Sequence, residues 1–169
     1  MNTVTPEKNT KKHFTNMHEL KRNLNSLGKS WALTGSQAMR LHARALRRES
    51  RVPHNINLLV NRSNFPNFVR FFQMHGYSFH GPPPPQLNRQ NIVTLHQNNK
   101  SVNMLASGAL GPRLGPNAVE NVLGIPVVKV QHLINYKKRS LNAASKEHAE
   151  ANIAFLKTLL RPLKRKISL

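Results

Sequence analysis

A chain of 169 residues is long enough for one domain with a real core and short for two. It has no cysteine, which excludes disulfides, thiolate metal sites and a cysteine nucleophile; no apolar run approaches a membrane span and no signal segment opens it, so a cytoplasmic protein away from the membrane is expected, with signal-less secretion left open. The formal charge of +20 comes from missing acids: 13 arginines and 13 lysines face six glutamates and no aspartate, beside 20 asparagines.

Residues 1–13 are polar and read as a flexible N-terminal segment. From Phe14 to Leu27, apolar Phe14, Met17, Leu20, Leu24 and Leu27 recur at helical steps, and Gly28 stops the helix. Trp31 to Leu33 is a short strand that breaks at Thr34-Gly35-Ser36, and Gln37 to Arg48 is a second helix. Ile56 to Val60 is a strand, Phe65 to His75 a helix closed by Gly76, and Tyr77 to His80 a candidate strand. After the stiff connector Pro82 to Pro85, strands Ile92–His96 and Ser101–Leu105 flank a Gln97-Asn98-Asn99-Lys100 hairpin turn. A Gly/Pro-rich loop leads to a short helix over Asn117 to Leu123, then a strand, Ile125 to Val128. Helices over Val130–Leu141 and Ala144–Leu160 and a solvated basic tail, 161–169, complete the chain. The fold class expected is α/β (α+β): a small mixed sheet flanked by helices, spanning 14–129, with C-terminal helices over 130–160 packed on it.

Chains of this length ordinarily carry on the order of eight aspartates. AT-rich coding would raise isoleucine with asparagine, yet there are six isoleucines against 21 leucines. Selective replacement of aspartate by asparagine, natural or engineered, accounts for the composition better. The charge is then discounted as a nucleic-acid signature.

Three segments carry the chemistry. At Gly35-Ser36 a strand turns into a helix, where glycine lets backbone approach a ligand and free N–H groups suit phosphate. In Arg51-Val52-Pro53-His54-Asn55-Ile56-Asn57, strand alternation puts Asn55 and Asn57 on one face while Ile56 enters the core. Asparagine is a poor strand former, so this pair calls for an explanation. Asn103 sits at the centre of a later strand.

The order and spacing of these segments resemble the nucleotidyltransferase superfamily, the polymerase-beta-like fold, and in particular its small branch of AbiEii-like abortive-infection toxins. The resemblance covers Trp31 to Leu160. It implies that Gly35 and Ser36 form a phosphate-binding turn, that Arg51 and Lys137 contact the nucleotide, and that Asn55, Asn57 and Asn103 occupy the positions of three metal-binding carboxylates. Ile125-Pro126-Val127 matches the strand before the last helices, and Asn152 falls near a final acid. The lineage transfers a nucleoside monophosphate from a nucleoside triphosphate, with Mg²⁺, to an acceptor such as RNA (tRNA) or protein. Amides in place of all three carboxylates, and Pro53 where threonine is usual, depart from the pattern. Neutral amides hold Mg²⁺ poorly and cannot take a proton from a nucleophile, so nucleotide binding without transfer is expected.

Two other readings stay open. Arg40, Arg44, Arg47 and Arg48, with His42, give one helix a basic face that, with Lys164, Arg165 and Lys166, suits a nucleic-acid-binding module. A non-enzymatic interaction protein, such as an antitoxin partner, is the other. The nine histidines show no metal-ligand spacing. Ser36 lacks the turn and the orienting acid of a hydrolase nucleophile.

Overall fold

In this computed structural model, which describes residues 17–50, 55–139 and 146–167, the elements follow in order. They are α1 (Met17–Asn25), β1 (Trp31–Leu33), α2 (Gly35–Ala45), β2 (Ile56–Val60), α3 (Phe65–Met74), β3 (Ile92–Gln97), β4 (Lys100–Ala106), β5 (Val119–Val122), β6 (Ile125–Val128), α4 (Val130–Arg139) and α5 (Lys146–Ile167). Short 3-10 turns cover Arg62–Asn64 and Leu87–Arg89. The strands form one mixed sheet in the order β3-β4-β2-β1-β6-β5.

Two pairings position the candidate site. Parallel β2 and β4 set Asn57 opposite Asn103. Antiparallel β3 and β4 set Thr94 opposite Asn103, a register dictated by the tight turn at Asn98-Asn99. Asn98 takes φ 55, a left-handed conformation that asparagine tolerates better than most residues. Alternation then separates the faces. Ile56, Leu58, Val93, Leu95, Val102 and Met104 are buried on one side, while Asn57, Thr94 and Asn103 share the other, half-buried.

Helix α2 packs on β2, β5 and β6 and also meets α4 and α5, which pack on each other; α3 lies on β3 and α1 on β6. Leu20 and Leu24, one turn apart, are the positions α1 buries. Phe65, Phe68 and Phe72 of α3 are fully buried, each worth about 1.5–3 kcal/mol over exposure. No described helix is long and apolar enough to cross a membrane.

Several expectations need correction. The segment expected as a helix over Asn117 to Leu123 is instead strand β5, paired antiparallel with β6. Leu123 at φ 53 and Gly124 at φ 81 make a hairpin turn, and valines at 119 and 122 suit the ladder. The candidate strand over Tyr77 to His80 is reduced to one bridge, Ser78 with His96. Helix α2 starts at Gly35 and ends at Ala45, and α5 runs through Ile167, taking in much of the expected tail. The expected flexible start, Phe14 and Arg51 lie outside the described residues.

Candidate active site

The turn between β1 and α2 is shaped by backbone and by a neighbour at once. Thr34 is extended, with no side-chain cap on the helix it precedes, and its N–H donates to the Asn57 carbonyl at 2.9 Å. Gly35 follows at φ +61, and a Cβ there would lie 2.6 Å from Asn57 Nδ2. Glycine is required on both counts. The same contact brings the Gly35 turn against the amide on β2.

Asn55, Asn57 and Asn103 come together at one end of the sheet. Asn103 Nδ2 donates to Asn57 Oδ1 at 2.9 Å, and Thr94 Oγ1 donates to Asn103 Oδ1 at 2.9 Å. Asn55, exposed just before β2, accepts the Ser101 N–H on its Oδ1 at 3.2 Å, two residues before Asn103 on β4. Each amide oxygen is therefore already an acceptor. A pair of dications needs hard, negatively charged oxygens with free lone pairs. Neutral amides whose oxygens are engaged in hydrogen bonds do not supply them, so the residues present do not fit Mg²⁺. Among the described residues no group of three or more His, Cys, Asp or Glu side chains offers a replacement.

Lys137, on α4, comes to the Gly35-Ser36 turn from the far end of the sequence. With Gly35, Ser36, Met39, Tyr136 and Leu156 it lines a narrow cleft. Burial lowers its pKa below the ordinary lysine value, because desolvation penalises the ammonium. Ile125-Pro126-Val127 falls in β6, which runs parallel to β1 and pairs Val127 with Leu33, just before the turn. Asn152 is half-buried on α5, one helical turn before Leu156 of the cleft.

Thr94, Met39 and Tyr136 are the residues the sequence reading missed. Thr94 was within reach: a hairpin turning at Asn98-Asn99 pairs Gln97 with Lys100 and hence Thr94 with Asn103. Met39 and Tyr136 carry no such signal, since only the packing of α4 against α2 brings them to the cleft.

The basic face expected on the second helix is partly dismantled. His42 is buried, with Nε2 2.8 Å from the Val128 carbonyl, because it lies on the side of α2 that meets β6. Arg48 Nη1 donates to Thr158 on α5 at 2.7 Å and the guanidinium lies 5.5 Å from the Phe155 ring centroid. Arg44 and Arg47 remain exposed and Arg40 is half-buried. A separate cavity of about 410 Å³, lined by Asn25, Lys29, Trp31 and Asn61 among others, opens at the opposite end of β1 and β2 from Gly35. It brings together no pair of ionisable groups among its lining residues.

Solved structures similar to this chain include two proteins tied to antibiotics. The lincosamide antibiotic adenylyltransferase LnuA, lincomycin-bound, aligns with a TM-score of 0.57 at 13% identity, over 85% of this chain and 98% of its own. The antibiotic-resistance factor ANT(2'')-Ia, determined in solution, aligns with a TM-score of 0.54 at 8% identity, over 89% of this chain and 90% of its own. No protein-family model and no curated sequence matches. The likeness spans nearly the whole of both neighbours and is one of fold: with its six-stranded mixed sheet flanked by helices, the chain has the nucleotidyltransferase fold.

Proposed function

We propose that this protein is a nucleoside-triphosphate-binding member of the nucleotidyltransferase lineage that holds the nucleotide without transferring it. The observation that carries this reading is the hydrogen-bonded amide pair Asn57 and Asn103, with Asn57 set against the Gly35 turn and Asn55 tied to the Ser101 backbone beside it. Nucleotidyl transfer needs an acceptor oxygen to attack the α-phosphorus while pyrophosphate leaves and the acceptor's proton is taken up. A carboxamide oxygen is not basic near neutral pH, so this cluster accepts no proton. The phosphate side keeps its chemistry: Gly35 and Ser36 open α2, where uncapped N–H groups favour anions, and Lys137 supplies a cation beside them. Arg51 is proposed to join them.

Two finer readings belong to the same proposal. The small toxin-like branch is the lineage the motif order favours, with RNA or protein as its ancestral acceptor. A small-molecule hydroxyl, as the lincosamide neighbour suggests, is the competing acceptor.

Calorimetry with the four ribonucleoside triphosphates tests binding, and α-³²P labelling of tRNA, protein and lincomycin tests transfer. Heat without label is the expected result. The triple variant N55D/N57D/N103D is expected to gain Mg²⁺-dependent label on one acceptor. Silence from all four nucleotides sinks the binding claim, and label from the unmodified chain sinks the claim of inactivity.

A further inference from the structure

We propose that the amide cluster makes this a site for a polyphosphate chain free of divalent metal, so that Mg²⁺ competes with binding instead of supporting it. This deepens the proposed nucleotide site and rests on that reading.

The direction of the hydrogen bonds is the reason. Thr94 gives its hydroxyl proton to Asn103 Oδ1, and Asn103 Nδ2 donates in turn to Asn57 Oδ1. The chain of donors ends at Asn57 Nδ2, the side-chain atom nearest the Gly35 turn. Asn55 is oriented independently, since the Ser101 backbone N–H can only donate and so holds the Asn55 oxygen toward β4. Each oxygen thus already accepts one hydrogen bond from β3 or β4 and is held toward the sheet. Among the described residues, no hydrogen bond takes up the Nδ2 hydrogens of Asn57 and Asn55 or the second one of Asn103, and Asn57 Nδ2 lies against the Gly35 turn.

Such a surface is complementary to phosphate oxygens and mismatched to a hydrated dication, whose coordinated waters also present hydrogens. Lys137 acts in the same sense. Its side chain lines the cleft with Gly35 and Ser36 and its ammonium is partly stripped of water, so it gains most from a ligand that keeps its full negative charge. Chelation by Mg²⁺ removes two of those charges before the nucleotide arrives. A site with three carboxylates would rank the two ligand forms in the opposite order.

Isothermal calorimetry at constant ionic strength decides this, titrating ATP into the unmodified chain in EDTA and in excess MgCl₂, with inorganic tripolyphosphate in EDTA as a second titrant. ATP is expected to bind about tenfold or more tightly in EDTA, the scale of one charge-assisted hydrogen bond. Tripolyphosphate is expected to bind as well. N55D/N57D/N103D, or N57D alone should the triple variant fail to fold, is expected to shift the preference toward MgCl₂. Equal or tighter ATP binding in MgCl₂ by the unmodified chain overturns the inference and leaves the nucleotide reading standing. No heat from ATP in either buffer overturns the nucleotide reading itself, and heat from ATP but none from tripolyphosphate overturns the polyphosphate assignment.

Discussion

At Gly35, a methyl group would meet two penalties that are separate in origin. The left-handed φ of +61 disfavours any L side chain, and the added Cβ would sit 2.6 Å from Asn57 Nδ2. Gly35→Ala is therefore expected to lower stability by at least about 1–2 kcal/mol, measured by urea unfolding, and to weaken nucleotide binding by displacing Asn57. Lys137 presents the reverse case. Its pKa is lowered by desolvation, so the unfolded chain binds its proton more readily than the folded one. Stability then rises with pH from the lowered folded value up to the ordinary lysine value. Lys137→Met is expected to raise the Tm at pH 7, to flatten that rise, and to weaken triphosphate binding about tenfold or more. A lower Tm would mean that the ammonium is satisfied in the folded chain. Alternation paired Asn55 with Asn57, and the family resemblance added Asn103 to them. What they bond to was not readable, because a hydrogen-bond direction depends on the partner's identity.

Among the elements, α3 could be read from helical spacing, and β1 and β2 from short apolar runs that the fold buries almost throughout. The segment around β5 misled for a physical reason. Four residues with two valines have no decisive period, and only pairing with β6 makes them a strand. Its turn shows the strain this left behind: Leu123, half-exposed at 50%, holds φ 53, where asparagine would be at ease before Gly124. Leu123→Asn is expected to stabilise the protein by about 1 kcal/mol, read as an increase in the urea midpoint without a change in slope. A loss of stability would show that the leucine's packing outweighs its backbone cost.

For the molecule as a whole, charge is the largest unbalanced term. Twenty-six lysines and arginines against six glutamates leave a field of one sign over the surface. Self-repulsion of this kind opposes folding and is screened by salt over a Debye length of about 8 Å at physiological ionic strength. The Tm is expected to rise with NaCl over the first few hundred millimolar. A flat response would mean that the cations are spaced too widely to repel. The sequence alone determined the element types with strong periods and the Gly-Ser turn, whereas the match of three amides to a metal site's acids came only from the family resemblance. The element types and the turn depend on residue identity and local spacing, which are complete in one dimension. Tertiary structure alone decided that Asn57 and Asn103 touch. It also decided that Lys137 reaches Gly35 from α4 and that His42 is spent on the Val128 carbonyl. Each of those contacts joins segments distant in the chain, and only the register of β2 on β4 and the packing of α2 against its neighbours bring them within a few ångströms.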